Sequence, residues 1–249
     1  MQISAVLPAH NEEANIEQAV SELQDVLGVI STDDTYEVIV VNDGSTDRTG
    51  GIVDKMGELD PRVKLITHET NLGYGQAVKT GLQAGSLDYV FFTDSDLQFD
   101  VAELERLVPH LDRADVVCGY RIERQDEFKR RFFAASWNYL VRVLFYVPVR
   151  DIDCAFKIFR REALDGLEIE SMGALINTEL MVKLGRSGYG VAEVGVNHFP
   201  RVGGEQSGAK LSVIFLAFNE LRRMHRTLKR IDTAERHYAR RRAARSGRI

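Results

Sequence analysis

The chain has 249 residues, 44% hydrophobic and 28% charged, which is enough apolar content to bury one large core or two small ones. No basic leader precedes an apolar N-terminal run, and no run approaches the ~18 to 20 apolar residues that span a bilayer. The expectation is therefore a cytoplasmic or cytoplasm-facing protein. The formal charge of −5 conceals an asymmetry: residues 221–249 carry 11 Lys+Arg and 2 Asp+Glu, a net of +9, so residues 1–220 carry −14. Cys118 and Cys154 have neither metal-ligand spacing nor a nearby histidine cluster, which argues against a zinc site or a disulfide framework and leaves two buried thiols.

Short β-rich runs alternate with helical patterns through the first hundred residues: ISAVLP, then NEEANIEQAVSELQDVL; YEVIVV, then STDRTGGIVDKM; VKLITH, then GYGQAVKTGLQAG; YVFFTD, then VAELERLVPHL. This order predicts an α/β fold with a mostly parallel central sheet. The strands are continuous rather than alternating, so helices are expected on both faces. A further strand, ADVVCG, follows. Beyond it, Arg130 to Val149 reads as an apolar, aromatic helix that is either core or laid on a bilayer surface. DIDCAFKIFRREAL reads as an acidic turn, a short strand and a helix start, and the stretch from Asn177 to Arg201 as a helix and then a strand. There is no internal repeat. Residues 1–210 are expected to form one catalytic domain, and 211–249 an amphipathic and basic helical tail.

Ligands of doubly wound sheets sit beyond the carboxyl ends of the strands. Four such places carry polar or glycine-rich signals: Pro8 to Glu12, Asn42 to Asp47, Asn71 to Gly75, and Asp94 to Gln98. Helix caps account for part of this, since Ser45 and Thr46 suit the start of any helix. The first strand is not followed by G-x-G-x-x-G, so the dinucleotide fingerprint is absent. Asp43, at the end of the second strand, can still accept hydrogen bonds from a ribose or a base. The pattern reads as a mononucleotide-sugar pocket.

The stretch FFTDSDLQFD places Asp94 and Asp96 two residues apart at a strand end, with Gln98 two further on. A hard cation such as Mg²⁺ or Mn²⁺ takes oxygen ligands and keeps waters, so one or two carboxylates plus a diphosphate suffice to hold it.

Together PAHNEE, VVNDGSTDRT, NLGYGQAVKTG and TDSDLQ resemble the family 2 glycosyltransferases with a GT-A fold. The D-x-D-L-Q form, followed by GYR, RR-x6-N and D-x-x-x-x-F-K-x-F-R, is similar to the dolichyl- or polyprenyl-phosphate mannosyltransferase group over most of residues 1–210. The resemblance implies that Pro8, Ala9, Asn11, Glu12, Asp43 and Asp94 line the nucleotide sugar. It implies that Asp94, Asp96 and Gln98 hold the metal and diphosphate, that Arg121 and Arg131 face an acceptor phosphate, and that Asp151 lies near the reacting centre. Departures fall on the acceptor side. Asp153 and Cys154 stand where relatives have threonine and glycine, Ser136 is not at the usual spacing from Arg131, and Gly203 to Lys210 is longer than the family's basic loop.

The function expected is inverting transfer of mannose or glucose from a GDP- or UDP-sugar to a polyprenyl or dolichyl phosphate. The alternative is a hydroxyl acceptor, which needs a carboxylate base, either Asp151 or Asp153. A phosphatase forming an aspartyl-phosphate would carry its D-x-D on the first strand, not the fourth. A nucleotide-sugar sensor without turnover is the remaining class. Partners expected are the nucleotide sugar, the polyprenyl phosphate and an anionic membrane surface for the basic tail, with no nucleic acid. The sequence leaves the oligomeric state open, and the tail reads equally as a solvated face.

Overall fold

β1 (Ile3–Ala9) and β2 (Tyr36–Asp43) are buried along their whole length, as apolar β-branched strands are when both sheet faces are covered. The computed structural model describes residues 1–122, 128–145, 147, 149–173, 175–201 and 219–227, with residues 34 and 128–135 described by backbone alone. β1 and β2 belong to a seven-stranded sheet with β3 (Val63–His68), β4 (Tyr89–Thr93), β5 (Val116–Ile122), β6 (Phe156–Arg160) and β7 (Val191–Asn197), in the order β3-β2-β1-β4-β6-β5-β7. Every ladder is parallel except those of β6, which runs antiparallel to both β4 and β5.

The helices follow the apolar periodicity. In α1 (Ile16–Ile30) the buried residues Ile16, Ala19, Val20, Leu23 and Leu27 form one stripe. α2 (Thr49–Leu59) packs on α1 and β3, and α3 (Tyr74–Ala84) on β1 and β2. The approach of α3 is close enough that a Cβ on Gly81 would lie 2.2 Å from Val6 Cγ1. The helix expected over 101–111 is instead broken: α4 (Leu104–Leu107) is a single turn between two 3₁₀ segments, Val101–Glu103 and Val108–Asp112. Pro109 explains the break, since it offers no N–H and disfavours helical geometry just before it. α5 (Phe128–Phe145) leads towards β6, α6 (Arg161–Leu164) follows it, and α7 (Ile176–Arg186) precedes β7.

The strand order reverses between β1 and β4, with β2 and β3 on one side and the later strands on the other. That switch point opens a crevice at the carboxyl ends of β1 and β4, where Pro8 and Asp94 lie. By contact density the chain divides into two compact units, Met1–Gly208 and Ala209–Ile249; in the second, residues 219–227 are helical. No helix among the described residues is long and apolar enough to cross a membrane.

Candidate active site

Three loops are stitched together at the ends of β1, β2 and β4. Ser95 Oγ donates across the switch point to the Pro8 carbonyl at 2.9 Å, and Ala9 beside it is buried. Asn11 sits in the left-handed region at φ 55°, which its short polar side chain tolerates. Its N–H donates to Ser45 Oγ at 3.0 Å and its Oδ1 accepts from Thr46 N at 2.9 Å. Glu12 is 7% exposed. Its N–H donates to Thr49 Oγ1, and its Oε2 accepts from Asn15 Nδ2 at 2.8 Å.

Asp43 is buried, and its carboxylate accepts from His68 Nδ1 at 2.7 Å and from the N–H groups of Leu72 and Gly73, each at 2.9 Å. It anchors the 71–75 loop. Gly44 makes the turn beside it possible: at φ 63° a Cβ there would lie 2.3 Å from the Thr70 carbonyl carbon.

That loop delivers Tyr74, whose hydroxyl donates to Asp94 Oδ1 at 2.9 Å. Burial, then the neighbouring Asp96, pushes the Asp94 carboxyl up to about 7, and the Tyr74 hydroxyl, Lys157 and Arg121 oppose the rise. Asp96 is also raised by burial, against the Gln98 N–H and Arg201. Leu97, between Asp96 and Gln98, is held at φ 59°, a strained value for a bulky side chain. Gln98 secures that turn: its N–H donates to Asp96 Oδ1 at 3.2 Å and its Nε2 to the Phe199 carbonyl at 3.0 Å, while Phe199 N donates back to Gln98 O at 2.8 Å.

The donor set fits a divalent cation. Two carboxylates that burial pushes up, Asp94 also by the charge of Asp96 and Asp96 by that of Glu12, have an excess of negative charge, which a hard cation relieves. No group of three or more His, Cys, Asp or Glu suited to a metal occurs among the described residues. A site of two carboxylates suits a cation whose shell a diphosphate and waters complete.

A second cluster adjoins the first. Asp151 is buried, and its oxygens accept from Arg121 Nε at 2.6 Å and Nη2 at 2.7 Å, with the Arg121 N–H at 3.3 Å. The pairing holds Arg121 even further above its already high pKa, despite burial. Asn138, the asparagine of RR-x6-N on α5, accepts from Ile152 N at 3.0 Å. Lys157 on β6 is fully buried and donates to the carbonyls of Ile152 and Cys154 and to Asn177 Oδ1. Arg131 lies in α5, but its side chain is outside the described residues, as is Gly203 to Lys210. Asp153 is half-buried on the same turn as Asp151.

The segment after β7 lies along the D-x-D turn. His198 packs edge-on against Phe99 with ring centroids 5.1 Å apart. Arg201 pairs with Glu12 Oε1 and stands 3.5 Å from Asp96 Oδ2. The Glu179 carboxylate pairs with Lys183 and accepts from the N–H groups of Glu170 and Ser171.

Among the expected residues, the fold gathers Pro8, Ala9, Asn11, Glu12, Asp94, Asp96 and Gln98 around one crevice, with Arg121 and Asp151 beside it. Asp43 supports the wall through the loop that it binds. Sequence reasoning missed Tyr74, Lys157, Asn177 and Arg201. Two of them left a signal: Tyr74 lies within the glycine-rich stretch Asn71 to Gly75, and Lys157 is a charge inside the apolar strand FKIFR.

The sheet, the switch-point crevice and the paired aspartates define the GT-A fold of nucleotide-diphospho-sugar transferases. Residues 4–167 match the sequence model of glycosyl transferase family 2, and the chain belongs to that family. It is 33% identical over 211 residues to glycosyltransferase AglD of Haloferax volcanii, an alignment covering 81% of this chain and 34% of that protein. It is 32% identical over 180 residues to the dolichyl-phosphate beta-glucosyltransferase of Homo sapiens, covering 65% and 56% respectively. The chain thus spans about a third to just over half the length of these relatives. Among solved structures it is similar to glucosyl-3-phosphoglycerate synthase from Mycobacterium tuberculosis in complex with Mn²⁺, UDP-glucose and phosphoglyceric acid. That match has a TM-score of 0.62 at 26% identity, covering 80% of this chain and 72% of that one.

Proposed function

We propose that this chain is an inverting glycosyltransferase that moves a hexose from a nucleoside-diphosphate sugar to a polyprenyl or dolichyl phosphate at the cytoplasmic face of a membrane. The names of the human relative and of the UDP-glucose complex weigh towards glucose and UDP over mannose and GDP. In this reading Asp94, Asp96 and Gln98 would hold Mg²⁺ or Mn²⁺. Bound there, the cation neutralises the charge that grows on the departing diphosphate. Pro8, Ala9, Asn11 and Glu12 line the nucleotide, and Asp43 sets the loop that closes one wall.

The observation that carries the acceptor assignment is the Arg121–Asp151 pair. Both oxygens of Asp151 accept from one guanidinium, so both are already engaged by Arg121. A phosphate monoester needs no strong base, since its second pKa is about 6 and it is largely dianionic at pH 7. Arg121, oriented by Asp151, and Arg131 supply positive charge for such an acceptor, so positioning and electrostatics carry the step. A hydroxyl acceptor with Asp151 or Asp153 as base is the second reading, favoured by the phosphoglyceric acid bound in the similar structure.

A thermal-shift panel of GDP- and UDP-sugars with Mn²⁺ identifies the donor, because a ligand that binds only the native state raises apparent stability. The stabilising donor is then offered with dolichyl or undecaprenyl phosphate. Transfer of sugar to the lipid is expected, and Asp96→Asn should lose both the Mn²⁺-dependent shift and most of the turnover while staying folded. Transfer to a soluble alcohol but not to the lipid phosphate would overturn the acceptor assignment. Full activity in excess chelator would remove the metal.

A further inference from the structure

We propose that Lys157 is a positioning residue for the transfer step, whose buried ammonium clamps the Ile152–Cys154 turn and so fixes the Asp151–Arg121 pair against the acceptor. This rests on the glycosyl-transfer reading.

The register places Lys157 between the two halves of the site. It is opposite Phe92 on β4, two residues before Asp94, and opposite Cys118 on β5, three residues before Arg121. Its Nζ reaches Ile152 O at 3.2 Å, Asn177 Oδ1 at 3.1 Å, and the carbonyl of Cys154. An ammonium has three donors, so these acceptors use all of them. None is a carboxylate, and no salt bridge of Lys157 occurs among the described residues.

A fully buried ammonium is costly to desolvate; its charge favours the ionised Asp94 carboxyl, but its hydrogen bonds all go to neutral oxygens. What the lysine secures is the turn. The Ile152 peptide is held from both sides, its N–H by Asn138 and its carbonyl by Lys157, and Cys154 N closes the turn onto Asp151 O at 3.3 Å. Asp151 leads this turn, and among the described residues the hydrogen bonds given for the Arg121 guanidinium go to Asp151. The clamp therefore acts two contacts away from the acceptor.

The test uses the full chain with Lys157→Met. If the clamp positions the pair, kcat falls about 10- to 100-fold, the scale of a small misplacement at the reacting centre. Affinity for the nucleotide without metal stays within about two-fold, because Lys157 makes no hydrogen bond to the loops after β1 and β2. In an Asp151→Asn background, Lys157→Met should cost less than about three-fold further, since residues acting through one another are not additive. The Nε–Hε resonance of Arg121, assigned by its loss in Arg121→Lys, should shift in Lys157→Met. Full multiplication of the two effects, or an unmoved Arg121 resonance in a folded variant, overturns the proposal. If Lys157→Met does not fold, Asn177→Ala removes one of the three acceptors, and a smaller loss of kcat with the same resonance shift is expected. An unmoved resonance there also overturns it. If the wild type transfers no sugar, the glycosyl-transfer reading fails, while the resonance still decides whether Lys157 orients Arg121.

Discussion

Arg201 and Asp96 face each other at 3.5 Å across the mouth of the crevice, with the same guanidinium bonded to Glu12. One side chain from the segment after β7 thus neutralises two acids, one from the β1 loop and one from the D-x-D turn. A positive group beside a carboxylate proposed to hold a metal would compete with the cation. Arg201→Gln is therefore expected to tighten Mn²⁺ binding without nucleotide by about five-fold, the scale of a pair worth ~1 kcal/mol. Titration followed by the Mn²⁺ EPR signal measures it, and weaker binding in the variant would show that Arg201 does not compete.

Asp94 predicts a pH dependence of stability in the metal-free protein. Its folded-state carboxyl is pushed from 3.8 up to about 7 by burial and by Asp96. Between those values the native state binds more protons at this site than the unfolded chain, so its contribution to stability falls as pH rises. Asp94→Asn removes that loss and keeps an oxygen to accept from Tyr74. The variant should gain on wild type progressively from about pH 4 to about pH 7 and hold level above. Urea unfolding across that range checks it, and parallel curves would refute the assignment. Adding Mn²⁺ should stabilise wild type alone.

Asp151 separates the two acceptor readings. With a phosphate acceptor the rate rises through its second ionisation near pH ~6 and levels off. Asp151→Asn should then lower kcat without moving that limb, because Asp151 orients Arg121 and does not take the proton. A limb that moves or vanishes in the variant identifies Asp151 as the base and the acceptor as a hydroxyl.

A polyprenyl phosphate keeps its chain in the bilayer, so a protein that uses the proposed acceptor would have to reach the surface. On α5, Tyr139 and Val143 are exposed at 71% and 53%, and the residues from 221 onward carry the basic excess. Each basic residue near an anionic surface contributes roughly 1 kcal/mol. Co-sedimentation with anionic vesicles is expected at low salt, falling as salt rises, and reduced by truncation after Lys210. A full-length chain that ignores anionic vesicles at low salt would favour a soluble acceptor.

The sequence by itself determined the βα alternation, the strands covered on both faces and the polar strand ends at Pro8, Asn42, Asn71 and Asp94. These are local patterns: strand and helix periodicities are written in consecutive residues, and a parallel sheet puts every strand end on the same rim. It also picked out Asp94, Asp96 and Gln98 as candidate cation ligands, because carboxylates that share a cation at a strand end must lie within a few residues. Tertiary structure alone decided that β6 enters antiparallel between β4 and β5, since each edge of a strand accepts either direction and the choice depends on how the intervening chain packs. The same insertion buries Lys157 between Asp94 and Arg121. Asp151 finds Arg121 thirty positions away, and Arg201 finds Glu12 across 189. Such partners are selected by the distances that folding closes, and charge pairs of that range leave no periodicity in the chain from which they could be read.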